Sequence, residues 1–211
     1  MIDESINEGG CGMTPGQRKR SAAVREAARE SILGAALKVF TRRGYYGTTM
    51  ADIAREAHAS YGLAYHYFRS KDALFAELVR IAYEGSYGLF LRAKGAPGAP
   101  AERLRAMVDG FLNAGVSGDS ALYFQIVIQA VTLERVPKAV TALNEKYLPL
   151  YSEVLEELLP ADTRSHGVDR SDRKGTVTCF LALIMGLPII LSRQPGAVSP
   201  EAGTIMRLFV I

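Results

Sequence analysis

The residues between Ser60 and Lys71 carry side chains that could contact a nucleic acid. The segment reads SYGLAYHYFRSK, in which tyrosines, a histidine and hydroxyl groups stand beside two cations. Ala64 and Phe68 lie four positions apart, so a helix can bury both on one side. The side chains then expected to be exposed are Tyr61, Leu63, His66 and Tyr67. Exposed rings and methyl groups contact base edges, while hydroxyls, amides and ammonium groups bind phosphates. The segment is therefore a candidate groove-reading helix; a helical hairpin packed inside a larger core is the alternative.

Enzymatic chemistry has little support in the chain. The three histidines, His58, His66 and His166, lie far in sequence from any acidic cluster and share no helix face. The common nucleophile, phosphate-binding and zinc-protease motifs do not occur. The two cysteines form no metal-ligand or disulfide pattern. We therefore predict no catalytic residue, no metal ligand and no cofactor.

A second short helix is predicted just before the candidate groove-reading helix. The run from Thr49 to Asp52 has the hydroxyl-x-x-carboxylate form of a helix start. Ile53, Ala54 and Ala57 then place one small apolar face over about two turns. Residues 58–60 break that pattern, and Ser60 is a good N-cap for the following helix. The sequence therefore predicts two short helices joined by a tight turn.

Three runs of residues carry a resemblance to a known family. They are Phe40-x-x-x-Gly44-Tyr45, Thr48-Thr49-x-x-x-Ile53-Ala54 and Ser60-x-Gly62-x-x-Tyr65-x-Tyr67-Phe68-x-Ser70-Lys71-x-x-Leu74. In this pattern residues 29–78, about a quarter of the chain, resemble the DNA-binding domain of the TetR family of bacterial transcriptional regulators. Two positions depart from the commonest form: Ala64 replaces a usual leucine, and Tyr61 stands where lysine is frequent.

The resemblance implies a ligand-responsive DNA-binding regulator, expected to be a repressor, that binds a palindromic operator as a homodimer. It implies phosphate contacts from Thr49, Tyr65, Tyr67 and Lys71. It places nearest the base edges Tyr61, Gly62, Leu63 and His66. Ser60 completes the predicted DNA-binding set. The alternative function is a helical interaction or lipid-carrier protein that retains the fold without binding an operator.

The uneven charge of the chain agrees with a DNA partner for one part only. The formal net charge is +3. Between Arg18 and Lys71 there are 11 basic and 4 acidic residues, a balance of 11 − 4 = +7. Residues 96–211 hold 11 basic and 12 acidic residues, a balance of 11 − 12 = −1. A basic small domain on a near-neutral larger one suggests that only the first binds a polyanion.

The predicted fold class is all-α, with an N-terminal three-helix DNA-binding domain and a larger C-terminal helical domain for ligand binding and dimerisation. We expect a disordered, basic-ended tail over 1–20, the helix-turn-helix domain over 21–71, a linking helix over 71–93 and the helical domain over 72–211. The first helix is expected from Arg25 to Arg43. The basic run of residues 17–20 is interpreted either as a solvated tail or as an arm that adds DNA contacts.

Further helices are predicted near residues 101–116, 119–134, 137–158, 170–193 and 200–211. Pro149 should kink or divide the third of these. Residues 179–191 are apolar on nearly every side, so one face should meet a second subunit, with the last helix as its companion. That run is too short for a bilayer, and the N-terminus has no signal-peptide pattern. We therefore expect a cytoplasmic protein without a membrane partner.

A pocket for a small apolar or aromatic ligand is predicted in the second domain from apolar side chains mixed with amides and phenols. The candidate residues are Met107, Phe111, Phe124, Gln125, Gln129, Tyr147, Tyr151 and Met185. For each of them, a place in an ordinary core or on the surface is the competing interpretation.

Overall fold

A computed structural model describes residues 14–116, 118–135, 137–159, 173–193 and 200–208 of the chain. Within these ranges the secondary structure is helical and contains no strand, as the all-α prediction requires. The helices are α1 (Pro15–Arg43), α2 (Met50–Glu56), α3 (Tyr61–Tyr67), α4 (Lys71–Gly95), α5 (Pro100–Val116), α6 (Gly118–Thr132), α7 (Lys138–Leu158), α8 (Arg173–Arg193) and α9 (Ala202–Leu208).

The first helix begins earlier than the sequence predicts. Thr14 caps it through a capping box with Gln17, and Pro15 occupies the first turn, where its missing N–H costs nothing. The prediction of a disordered tail is therefore wrong for residues 15–20, because the apolar periodicity used to place the helix starts only where α1 becomes buried, at Ile32. Residues 1–13 lie outside the described part of the chain.

We call α1 to α3, with the first turn of α4, the head. Its core combines buried residues of α1, α2, α3 and the start of α4, with α1 packed on α2 and α4, and α3 packed on α2. Phe40, Tyr45 and Phe75 form an aromatic cluster at its centre, with Phe40 and Phe75 edge-to-face at a centroid distance of 5.1 Å. Gly44 ends α1 with φ of 71°, a backbone conformation that glycine adopts at no steric cost.

Helix α4 belongs to both parts of the molecule. Ser70 caps it, and Leu74, Phe75 and Leu78 are buried at its head end. Its other end buries Tyr83 and Phe90 against the helices that follow, where it packs on α7, α5 and α6. A single continuous helix therefore connects the head to the rest of the chain.

Helices α5 to α9 form the C-terminal bundle. α8 packs against α5, α6 and α7, and α9 packs on α5. α7 runs unbroken from Lys138 to Leu158 although it contains Pro149. Of the two predicted effects of Pro149, a division of the helix is therefore wrong, and a kink stays a prediction; buried side chains on both sides of Pro149, including Tyr147 and Tyr151, hold the helix in the bundle. In the described part of the chain no helix is both long and apolar enough to span a membrane.

Candidate nucleic-acid interface

Helix α3 presents most of its side chains to solvent. Ala64 is fully buried and Phe68 is 6% exposed, as their spacing predicts. Tyr61 is 55%, Leu63 37% and Tyr65 38% exposed, whereas such large apolar residues usually contribute to a core. Gly62 and His66 are also exposed. Exposure is thus confirmed for Tyr61, Leu63 and His66.

Tyr67 differs from the prediction of a largely exposed side chain. It is half-buried and packs against the core of the head. Its ring also meets that of His66, with centroids 5.2 Å apart and nearly perpendicular planes. The prediction for Tyr67 is wrong because α3 is short and lies close to the neighbouring helices. A ring next to the buried residues of such a helix is therefore partly covered as well.

Two tyrosines on α3 form an exposed aromatic pair. The ring centroids of Tyr61 and Tyr65 are 4.7 Å apart, with planes tilted by 56°. A hydrogen bond between the two side chains raises the pKa of Tyr61 above its usual value. Tyr61 stands where this chain departs from the commonest family pattern, whereas Tyr65 matches that pattern. The two rings together form an aromatic surface on the exposed side of α3.

Thr49 and Ser60, both predicted to lie at the DNA interface, cap the two short helices. The Thr49 hydroxyl accepts a hydrogen bond from the Asp52 amide at 3.2 Å and donates to the Asp52 carboxylate at 2.6 Å. The Ser60 hydroxyl accepts from the Leu63 amide at 3.1 Å. Both residues are exposed. Their first role is to satisfy the amides at the starts of α2 and α3.

Lys71 is folded against the turn that follows α1. Its ammonium donates to the Tyr45 carbonyl at 2.9 Å and lies 4.3 Å from the centroid of the Tyr45 ring. The hydroxyl of Tyr45 in turn donates to the carboxylate of Asp72. Burial, and then this bond to Asp72, raise the pKa of Tyr45 well above its usual range. An ammonium has three donors, so Lys71 can hold the turn and still offer N–H groups to a phosphate.

A polar cleft of about 200 Å³ separates the end of α1 from α2. Arg43 and Arg55 both pair with Asp52 at 2.9 Å, and Arg42 pairs with Glu56. The hydrogen bond from Thr49, with these guanidinium groups nearby, lowers the pKa of Asp52. Arg42 and Arg43 therefore connect the end of α1 to α2, whereas the pair of Arg55 with Asp52 lies within α2.

A chain of polar contacts that the sequence did not reveal runs from the head into the C-terminal bundle. Arg29 of α1 pairs with Glu77 of α4 and also lies over the Phe68 ring, 5.4 Å from its centroid. Arg80 donates to Glu77 at 2.8 Å and pairs with Glu84, which accepts from the Tyr147 hydroxyl at 3.3 Å. Only the pairs three and four positions apart within α4 have a sequence signal.

The predicted ligand residues fall into two groups. Tyr151 is fully buried; its hydroxyl lies 2.6 Å from the Ser86 hydroxyl and donates to the Tyr83 carbonyl at 3.0 Å. Burial raises its pKa well above the usual range. Phe90 connects Tyr151, at 4.8 Å between centroids, with Phe111, at 5.4 Å. Close to this group lie Met107, Phe124 and Tyr147, with Gln125 and Met185 half-buried in the same bundle.

Gln129 forms the other group, because it points to the head. Its amide donates to the Phe40 carbonyl at the end of α1, at 3.0 Å, while its side-chain oxygen is buried without a hydrogen-bond partner among the described groups. Just beyond α6, the Arg135 amide donates to the Tyr46 hydroxyl at 3.2 Å. No spacing in the sequence predicts this second connection between bundle and head.

Comparison with known proteins identifies the family. A family model described as bacterial regulatory proteins, tetR family, matches residues 32–78. The HTH-type transcriptional regulator BetI of Burkholderia thailandensis (strain ATCC 700388 / DSM 13276 / CCUG 48851 / CIP 106301 / E264) is 30% identical over 147 residues, which cover 67% of this chain and 74% of that protein. The chain belongs to the TetR family. The predicted resemblance is confirmed, and the relatives are transcriptional regulators.

Two further comparisons show how far the similarity to this TetR-family chain extends. The HTH-type transcriptional regulator HbdR of Aromatoleum sp. (strain CIB) is 53% identical over 47 residues, which cover 22% of this chain and only 20% of that protein. In the crystal structure of AibR in complex with isovaleryl coenzyme A and operator DNA, the protein chain is 21% identical in sequence to this chain. The similarity has a TM-score of 0.62 and covers 86% of this chain and 98% of that chain. The family model thus matches only residues 32–78, whereas the similarity of fold extends over most of the chain.

Proposed function

We propose that this TetR-family chain is a ligand-responsive repressor that binds a palindromic operator as a homodimer. The observation that carries the proposal is the exposed side of α3, where Tyr61, Leu63, Tyr65 and His66 stand on a helix whose other side is buried. Exposing these rings to water is unfavourable in the free protein. Thymine methyl groups and base edges in the major groove would cover them. In this proposal residues 21–71 form the DNA-binding domain, α4 is the link, and residues 72–211 form the ligand-binding and dimerisation domain.

The division of labour within the head can be tested by two substitutions. Leu63→Ala should change base preference, because an apolar side chain senses thymine methyl groups. Lys71→Ala should weaken binding to all sequences alike, through the lost phosphate contact and the loosened Tyr45 turn. Selection of duplexes from a random pool, followed by affinity measurements, checks both. A changed preference in Lys71→Ala together with an unchanged one in Leu63→Ala would contradict this assignment.

Dimerisation through α8 and α9 is supported by the composition of the side of α8 that faces solvent in the single chain. Val177, Phe180 and Ile184 are buried within the bundle, whereas Thr178, Cys179 and Ala182 are exposed. Small exposed side chains on an otherwise apolar helix allow a second helix to approach closely, and a two-fold operator needs two heads.

The dimer can be tested without disturbing the monomer. Ala182→Arg should yield monomers in sedimentation, because the exposed site tolerates the longer side chain only in the absence of a partner. The control is Leu148→Arg, at a residue of α7 that is 45% exposed, which should remain dimeric. In a variant carrying Cys11→Ser, a short thiol cross-linker should join Cys179 residues. A monomeric wild-type protein would overturn the dimer.

The sensing role is supported by the aromatic series in the bundle and by what AibR binds. AibR was crystallised with isovaleryl coenzyme A and operator DNA; for this chain we propose a small apolar or aromatic ligand that enters beside Phe90, Phe111 and Tyr151. A ligand changes DNA affinity only by binding one arrangement of the heads better than the other. By linkage, an inducing ligand must then bind more weakly when operator is present, with a coupling of about 1–3 kcal/mol.

Calorimetry with and without operator tests the sensing role. Ligands that bind with equal affinity in both titrations are not inducers. If wild-type protein retains no duplex from the random pool, the alternative of a helical interaction or lipid-carrier protein replaces the regulator. A protein that retains a duplex but shows no coupled ligand would be a DNA-binding protein without a small-molecule switch.

A further inference from the structure

The first half of α1, residues 15–31, extends away from the body of the head. Buried residues of α1 begin at Ile32, and residues 15–20 and 22–27 are exposed around the whole helix. The helix is formed by local signals: the capping box of Thr14 and Gln17, and alanines within residues 22–28. At a rise of about 1.5 Å per residue the segment is about 25 Å long. It also precedes the part of the chain that the family model matches.

The cations of this segment are not evenly distributed around the helix. Its charged residues are Arg18, Lys19, Arg20, Arg25, Arg29, Glu26 and Glu30. With about 3.6 residues per turn, Arg18, Arg25 and Arg29 fall on one side. Both glutamates share a neighbouring strip with Lys19, and Arg20 falls on the opposite side. One side of the helix is therefore uniformly basic.

Arg29 shows where this basic side faces. It pairs with Glu77 and lies over the ring of Phe68, the residue that caps the end of α3. Arg25 lies about one turn ahead of Arg29 on the same side, and Arg18 about three turns ahead. Among the described residues, no carboxylate lies within ion-pair distance of Arg25. The basic side therefore extends along α1 from a point beside the end of α3.

We propose that this segment is a rigid arm whose basic side binds the phosphate backbone of the DNA that flanks the site contacted by α3. The inference rests on the proposed function, because α3 must bring the duplex to the head. Duplex DNA carries one negative charge per about 1.7 Å of its axis, so the flank offers phosphates along the whole arm. The arm is already helical, so the contact requires no folding of the backbone, and only its side chains lose freedom on binding. The arm contributes affinity and carries no sequence information.

The experiment uses the full-length protein and a duplex that the wild-type protein selects from a random pool, with affinity measured at several salt concentrations. Arg25→Ala should reduce the slope of log affinity against log salt by about 0.9 per protomer, and the double change Arg18→Ala, Arg25→Ala by more. Base preference should stay the same. The matched control is Arg20→Ala, which removes the same charge from the opposite side of the same helix and should leave the slope unchanged.

Each outcome has a defined consequence. A wild-type protein that selects no duplex overturns the proposed function itself. If the wild-type protein binds a duplex but Arg25→Ala leaves the salt slope unchanged, only the arm proposal is overturned. An acidic protein then becomes the alternative partner of the basic side. Equal losses in Arg25→Ala and Arg20→Ala show diffuse attraction and overturn the oriented contact, as would an altered base preference. Arg25→Lys should retain the wild-type slope, and circular dichroism should show unchanged helicity in every variant.

Discussion

In the head, hydroxyl groups cap the starts of helices by accepting from amides three residues later in the chain. In the C-terminal bundle, by contrast, side-chain hydroxyls bond to residues that are far apart in the sequence. Thr49, Ser60 and Ser70 each accept from the amide three residues later. The hydroxyls of Tyr83 and Tyr151 instead contact Asn144, Ser86 and the Tyr83 carbonyl, across 61 to 68 positions. The head is therefore specified largely by local sequence, and the bundle by side chains that meet only after the chain has folded.

Helix α4 joins these two kinds of structure. Its first turn is capped by Ser70 and held to the Tyr45 turn, while its later turns bury Tyr83 and Phe90 in the aromatic group of the bundle. The Arg29–Glu77–Arg80–Glu84 contacts lie along this helix between the head and the bundle. The comparison therefore predicts that substitutions in the bundle cost more stability than losses of single caps in the head.

The largest effect is expected from Phe90→Ala. Phe90 is fully buried and contacts both Phe111 and Tyr151, so its removal leaves a cavity among long-range contacts. The free energy of unfolding should fall by about 3–5 kcal/mol, as measured by urea denaturation. The control is Leu91→Ala, at a neighbouring residue that is 47% exposed; it should change stability by less than about 0.5 kcal/mol. Equal losses would show that the aromatic group is not what holds the bundle.

The same contrast explains how much could be predicted from the sequence. The turn and caps between Thr49 and Ser70 were predictable because each signal lies within four residues of its partner. Two other contacts could not be predicted: those of the α4 tyrosines with α7, and the bond from the Gln129 amide to α1. No spacing in the sequence pairs residues that are 61 to 89 positions apart. The start of α1 differs from the prediction for another reason: an exposed helix has no apolar periodicity, so only the capping box of Thr14 and Gln17 marks its beginning.

The stability of the protein at low pH should depend on Glu77 of α4. Hydrogen bonds from Arg80, and then Arg29, lower the pKa of Glu77 from 4.5 to about 2. Since the folded state binds this proton more weakly than the unfolded state, the stabilisation is complete above pH 4.5 and is lost as the pH falls towards 2. Denaturation of the wild type and of Glu77→Gln across this range measures it. The difference in stability between the two should shrink on acidification; parallel curves would contradict the assignment.

A smaller effect is expected from removing one cap in the head. The Ser70 hydroxyl accepts from the Ala73 amide at 3.0 Å, and Ser70→Ala leaves that amide to water. The free energy of unfolding should fall by about 1 kcal/mol. Ser70→Asp, which retains an acceptor and adds a favourable charge at the helix start, should keep the wild-type stability. A loss as large as that of Phe90→Ala would show that the head also depends on long-range contacts at this point.

The smallest effect is expected at the turn between α2 and α3. His58 has φ of 51°, the only non-glycine residue with positive φ in the described ranges. A side chain in the left-handed region costs about 1–2 kcal/mol, although histidine tolerates the region better than most residues. His58→Gly removes that strain but gives the unfolded chain more freedom, which offsets about 0.4–1 kcal/mol. The free energy of unfolding should therefore rise by at most about 1 kcal/mol, while His58→Ala keeps the strained backbone and should not gain stability.

DNA affinity should be unchanged in His58→Gly, because Thr49 and Ser60 still cap α2 and α3. A clear loss of stability in this variant would show that side-chain contacts of His58, and not the local backbone, determine the turn.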